Sequence, residues 1–312
     1  MSKILIRLIL KYNNFKSLNI VKRKQKALSS KVNAEAAGLP IHNNICSIIF
    51  SKDRAMQLNA FLSSYITLVA NYKSIYILYK CSNIRHEKSY EDLKKMYINE
   101  PFIFIKEENF RTQLLNILKQ ENAKNTLFYV DDMIFTRPID YGEIKDIDTN
   151  KYTLVLTRGE DLTYSVVLNK PLKVPTFKRY SPNFVSFDWF EYNEFSDWQY
   201  PLGVSGYMFG REECLVMLEN IMFKGPNSLE GNMQLFISLS KQKKGLCPLL
   251  VSAVCVHANL VQTEGTNNIL GVFSIEKLLE LWEQSLQIDV RQFYNKDATI
   301  AQELSYKFIH RN

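Results

Sequence analysis

Glycine is scarce in this chain, at 11 of 312 residues, and none falls in the polar loop Ser51-Lys52-Asp53-Arg54. A Gly-rich phosphate cradle at that point is therefore excluded. The five cysteines (Cys46, Cys81, Cys214, Cys247, Cys255) are an odd count without a C-x-x-C pair. That pattern gives neither a zinc-ligand set nor a disulfide framework. Several sit in apolar runs and read as small buried hydrophobes in a reducing compartment. The N-terminal run Ile4–Leu10 is interrupted by Arg7 and is too short to cross a bilayer. The long apolar stretch and small-residue cleavage site of a signal peptide are also missing, as are repeats and low-complexity tracts.

Acid is absent from the first 31 residues, which carry nine Lys and Arg. The net charge of +7 resides in this arm, because the remainder holds 30 basic against 32 acidic residues. A basic groove for nucleic acid spread over the body is therefore not expected. The arm reads instead as an amphipathic segment lying on an anionic membrane surface, where each basic residue contributes about 1 kcal/mol. Residues 1–44 are taken as arm and linker, 45–265 as the body and 266–312 as a C-terminal helical extension.

Aromatic residues are plentiful, and 46% of the chain is hydrophobic, an ordinary globular composition. Strand-like runs at Cys46–Phe50, Ser74–Tyr79, Pro101–Ile105 and Thr126–Val130 alternate with helical patterns over Asp53–Leu68, Glu87–Tyr97 and Phe110–Gln120. Such alternation predicts a parallel sheet with helices on both faces. Further strands are expected at Tyr152–Thr157, Phe184–Phe190 and Leu249–Val256. Helices are expected at Leu229–Leu239, from Ser274, and again after Asp297. Ligands of such sheets bind beyond the carboxyl ends of the strands.

The run Phe128-Tyr129-Val130-Asp131-Asp132 places two adjacent carboxylates at such an end. Like charges side by side repel, so the pair is expected either to face a divalent cation that bridges to a diphosphate or to cap a turn or helix. Arg54, at the end of the first strand, suits phosphate oxygens because its guanidinium forks match them. The stretch from Phe187 to Tyr200 interleaves aromatic rings with Asp188, Glu191 and Asp197. Rings pack on sugar C–H faces and carboxylates bond to hydroxyls, so this stretch is either part of the core or a candidate acceptor wall.

Paired acids ending a strand, about 80 residues after a strand followed by a polar loop, resemble the GT-A glycosyltransferases. The segment Pro201–Glu213 is similar to the Gly-containing acceptor-side segment of family 2-like members. Tyr200–Tyr207, Gly225–Glu230 and Asn259–Gln262 resemble motifs of bacterial surface-polysaccharide glycosyltransferases. The resemblance implies a Rossmann-like GT-A sheet and transfer from a nucleotide sugar, a UDP-sugar foremost, to a glycan or lipid-linked acceptor. It also implies inversion and assistance by a divalent metal, Mn2+ or Mg2+. Asp53, Arg54, Asp131 and Asp132 are the implied nucleotide and diphosphate contacts, with Asp132 and His257 the metal ligands. Glu230 is the implied catalytic base and Asp197 the second candidate. Three departures stand out: Met133 replaces a third acid, Gly231 replaces the Asp of a Glu-Asp pair, and Ser205 and Tyr207 replace an Asp and a His.

Two rival readings are a nucleotidyltransferase, disfavoured by the glycine-free loop, and a glycan-binding module without turnover. The arm implies a peripheral place on the cytoplasmic face of the cell membrane. Deleting residues 1–31 is expected to abolish co-sedimentation with anionic vesicles, and added salt to weaken it in the full chain. Equal sedimentation of both forms would refute that reading.

Overall fold

The computed structural model describes residues 43–192, 194–259, 273–296, 298–300, 302–303 and 306–311. The basic arm and Leu260–Gln262 of the last motif lie outside them. The first half alternates as expected: β1 (Asn43–Lys52), α1 (Ala55–Leu68), β2 (Ile75–Lys80), α2 (Ile84–Met96), β3 (Phe102–Lys106), α3 (Phe110–Gln120) and β4 (Ala123–Val130). Side-chain caps start the second and third helices. Asn83 accepts from the N–H groups of Arg85 and His86, and Asn109 from Thr112, which satisfies donors that the first turn leaves unpaired.

The second half supplies β5 (Met133–Phe135), β6 (Tyr152–Val155), β7 (Phe184–Phe187), β8 (Tyr207–Gly210), α4 (Arg211–Glu219), α5 (Pro226–Met233), β9 (Lys244–Pro248) and β10 (Ala253–Val256). It ends with α6 (Ile275–Glu283), β11 (Leu286–Ile288) and β12 (Phe308–His310). The central sheet has nine strands, in the order Lys178–Arg179, β7, β9, β6, β8, β4, β1, β2, β3. All run in one direction except β7 and β8. The fold is thus α/β with a mostly parallel sheet flanked by helices, as the alternation predicted.

Period-two alternation divides the core. Ile45 and Ile49 of β1 pack on one face with α1, α2 and α6, while Cys46, Ile48 and Phe50 pack on the other with α3, α4 and α5. Ser47, which points to the first face, satisfies its hydroxyl by a 2.9 Å bond with Tyr141. All the central strands are buried on both sides, which is why they read as continuous apolar runs.

Three expectations are corrected. The run Leu249–Val256 is not one strand: β9 ends at Pro248, and β10 pairs with β5 and Gln302–Glu303 in a separate small sheet. Between them Leu249 donates to Asn183 O, Val251 to Asp161 Oδ1 and Ser252 to Leu156 O. Those bonds carry the chain from one ladder to the next, and hydrophobicity alone does not record the change. The expected helix at 229–239 is α5, begun three residues earlier by Pro226, followed by short turns. After residue 297 the described residues form short strands, paired to β10 and β11, in place of a second helix.

One glycine is demanded by the close approach of β8 to the acid-bearing loop. Gly206 has φ +79°, and a Cβ there would come 2.9 Å from Met133 Cε and 3.3 Å from Leu156 Cβ. Its N–H donates to Phe128 O, and its carbonyl accepts from Leu156. Gly206→Ala combines left-handed strain with overpacking. It is expected to cost about 1–3 kcal/mol in chemical denaturation, and an unchanged midpoint would contradict this geometry.

Candidate active site

The carboxyl ends of β1 and β4 bring the loop 51–54 against Asp131 and Asp132. The ladder continues one bond beyond β4, with Asp131 N donating to Phe50 O at 3.1 Å. Asp131 Oδ2 accepts from Ser51 Oγ at 2.9 Å and from the Lys52 N–H at 3.2 Å. Arg54 Nη1 lies 3.0 Å from both Asp131 Oδ1 and Asp132 Oδ2. The acids are buried, at 4% and 9% exposure, and the Arg54 side chain is 10% exposed. Burial pushes the Asp131 carboxyl up to about 6, with Arg54 pulling it down and Asp132 pushing it further up.

The same guanidinium reaches the C-terminal side of the body. Arg54 Nε donates to Asn259 Oδ1 at 2.9 Å and Nη2 to Asn259 O at 2.5 Å, and Gln57 also donates to Asn259 Oδ1. Asp132 O accepts from Val256 N at 2.7 Å, which places His257 next to the acid pair. Burial lowers the His257 pKa, with Asp132 opposing and Arg54 reinforcing the shift, so its imidazole is neutral at pH 7.

Asp53 is committed elsewhere. Its oxygens accept from Ser82 N (2.7 Å) and Ser82 Oγ (2.5 Å), its N–H donates to Lys80 O, and its φ is +54°. Asp53, an expected nucleotide contact, thus forms a clamp that ties the loop after β1 to the loop after β2.

Glu230 and Asp197 do share one cavity. Together with His257 they line a cavity of about 270 Å³, whose wall also includes Arg158, Tyr200, Ser205 and Tyr207. Burial raises the Glu230 pKa, opposed by hydrogen bonds from the Tyr200 hydroxyl and the Val204 N–H and by the charge of Arg158. Asp197 Oδ2 is buried without a hydrogen-bond partner, an acceptor suited to a hydroxyl. Phe195 (66% exposed) and Val167 (41%) stand at the cavity rim as apolar surface. Asp131 and Asp132 are not part of this wall, which approaches them through His257.

Two participants went unrecognised in the sequence. Arg158 is buried and gives its N–H groups to neutral oxygens: Asp197 O, Thr157 O and Oγ1, and Tyr207 OH. It follows β6, so the strand-end rule applied to Tyr152–Thr157 would have found it. Tyr207, which stands in place of a His, donates to Tyr200 O at 2.8 Å and so braces the residue that holds Glu230. Nothing local in the sequence marks that bond.

The expected divalent ion suits this donor set poorly. Both Asp131 oxygens and one Asp132 oxygen are already engaged. Among the described residues no three His, Cys, Asp or Glu side chains gather as metal ligands. An ion on the remaining Asp132 oxygen would stand beside a guanidinium bonded to the same carboxylate, and charges of one sign that close repel.

A mostly parallel α/β sheet with charged loops at its strand ends, beside a cavity that holds a carboxylate of raised pKa, is an arrangement that suits ligand binding. No family model matches the chain. Over 180 residues, 51% of this chain, it is 28% identical to a bifunctional glycosyltransferase, pgtA, of Dictyostelium discoideum, and covers 23% of that protein. Among solved structures it is similar to S. aureus TarS 1–349, with a TM-score of 0.41 and 15% identity, covering 67% of this chain and 58% of that one. The same TarS segment in complex with UDP-GlcNAc gives a TM-score of 0.41 at 13% identity, over 65% and 55%. The chain thus spans under a quarter of the curated relative and less than two thirds of TarS.

Arg54→Met removes the cation that bridges two buried carboxylates. The expected loss is about 3–5 kcal/mol at pH 7, read by urea denaturation. Asp131 titrates higher in the folded than in the unfolded chain, so its ionisation destabilises the fold. That penalty is absent below about 3.8 and complete above about 6. Removing Arg54 raises the folded-state pKa further, so the gap between variant and wild type should stay constant below about 6 and widen as pH rises above it. A gap independent of pH would contradict the assignment.

Proposed function

We propose that this chain is a GT-A-type glycosyltransferase that moves a sugar from a nucleotide-sugar donor, a UDP-sugar foremost, to a glycan or lipid-linked acceptor with inversion. The observation that carries the reading is one cavity holding Glu230 and Asp197, adjoining the strand-end acids through His257. The 180-residue similarity to a glycosyltransferase supports it.

In this reading Asp131 and Asp132 face the nucleotide side and Arg54 the diphosphate, while the sugar to be transferred enters the cavity. Glu230 takes the proton of the acceptor hydroxyl as that oxygen bonds to the anomeric carbon. The bond from that carbon to the diphosphate breaks on the opposite face, and the leaving group departs with its electron pair. One displacement inverts the centre. Arg54 offsets the charge gathering on the diphosphate. Asp197 Oδ2 accepts a hydroxyl of donor or acceptor, and Tyr200 and the Val204 N–H fix the Glu230 carboxylate. No step is routed through a metal, because the donor set suits one poorly.

Assembly of a bacterial surface polysaccharide or lipopolysaccharide at the cytoplasmic membrane face is proposed from the basic arm together with the resemblance. Among the described residues no helix is long and apolar enough to cross a membrane. The apolar rim formed by Phe195 and Val167 suits a lipid-linked acceptor.

Glu230→Gln removes the base while keeping the shape of the side chain. We expect kcat/KM for transfer to fall by about 100-fold or more, with donor binding unchanged. In the wild type kcat/KM should decline on the acid side with an apparent pKa above the ordinary glutamate value of 4.5, the direction that burial imposes on Glu230. Near-full activity of the variant would overturn the mechanism and move Asp197 forward. No turnover with a panel of sugar nucleotides, alongside retained glycan binding, would favour a binding module.

A further inference from the structure

We propose that Arg54 stands where a divalent ion would otherwise sit, so that the chain binds its nucleoside diphosphate without a metal. The proposal rests on the donor-binding reading above and extends it to the counter-ion. Its basis is the way one guanidinium is used. Nη1 bonds to both acids of the strand-end pair, and Nε and Nη2 bond to the side chain and carbonyl of Asn259. A metal in this position would join the same two pieces of chain, the acid pair and the segment after β10, by coordination. Arg54 joins them by hydrogen bonds and supplies the positive charge itself.

The surroundings are adapted to that occupancy. Asp131 Oδ2 is held by Ser51 Oγ and the Lys52 N–H and Oδ1 by Arg54, so both oxygens of one acid of the pair already accept hydrogen bonds. Arg54 is held from behind, its own N–H donating to the Tyr90 hydroxyl at 3.3 Å, and Tyr90 is in turn bonded to Ser51 at 2.5 Å. The Asn259 oxygen that meets Nε also accepts from Gln57. A side chain fixed at both ends and almost closed to solvent is pre-organised. Four of its five N–H groups are engaged among the described residues, and the fifth, with the cation's remaining field, is available to a phosphate oxygen. The missing third acid, where Met133 stands and packs into the core, agrees with a site that has one acid fewer to offer an ion.

The test uses the full chain. Manganese alone is titrated and followed by its electron paramagnetic resonance signal, and UDP binding is measured by calorimetry in EDTA and in excess manganese. We expect no manganese bound by the wild type, and UDP affinities that agree within about threefold in the two conditions. Manganese bound by the protein alone, or UDP tightened by more than about threefold, would overturn the proposal. Arg54→Gln keeps a planar amide but withdraws the charge, and it is expected to acquire manganese binding and a manganese requirement for UDP. A purely structural role for Arg54 predicts no gain of metal affinity. Should that variant not fold, the wild-type titrations still decide. Absence of UDP binding under every condition would remove the donor reading, whereas the manganese titration would continue to judge what Arg54 does at the acid pair.

Discussion

Arg54 bridges Asp131, Asp132 and Asn259 within 3.0 Å, and the carboxyl end of the sheet is organised around that bridge. Two adjacent carboxylates buried at the tip of β4 would repel each other and pay for lost hydration. One guanidinium offsets both terms at once. Because its other nitrogens reach Asn259, it also draws the segment after β10 onto the end of the central sheet. That segment carries His257, which lies in both the acid cluster and the wall of the neighbouring cavity. Charge neutralisation and the assembly of the crevice are therefore one event.

The cavity obeys a different constraint. Its polar groups come from four segments: Arg158 after β6, Asp197 to Tyr207 before and within β8, Glu230 on α5, and His257 after β10. Arg158 uses its N–H groups on carbonyl and hydroxyl oxygens, so its charge is not cancelled by a bonded carboxylate and extends toward Glu230. Burial raises the Glu230 pKa and Arg158 moderates the rise. Asp197, by contrast, keeps one buried oxygen unbonded, a cost that a hydroxyl-bearing ligand would recover.

Adjacency decided which site residues could be read in advance. Asp131 and Asp132 are neighbours at the end of an apolar strand, so the chain itself displays the pair, and Arg54 follows the first strand in the same way. Asp53 shares that loop, yet its carboxylate turns to Ser82, because a left-handed φ at Asp53 sends its side chain toward the loop after β2. Arg158 was open to the strand-end argument and Tyr207 was not. The value of Tyr207 is a bond to the Tyr200 carbonyl, which exists only once that loop folds back.

By itself the sequence determined the alternating first half, the two-sided burial of its inner strands and the position of the acid pair. These follow from local periodicity and from the rule that a parallel sheet collects ligands at its carboxyl ends. Tertiary structure alone decided which cation faces the acids and where the run 249–256 leaves one sheet for another. It also decided that Glu230, Asp197 and His257 share a cavity. Each of those outcomes depends on partners dozens to hundreds of residues apart, and a hydrogen bond such as Arg54 to Asn259 has no periodicity by which the chain could announce it.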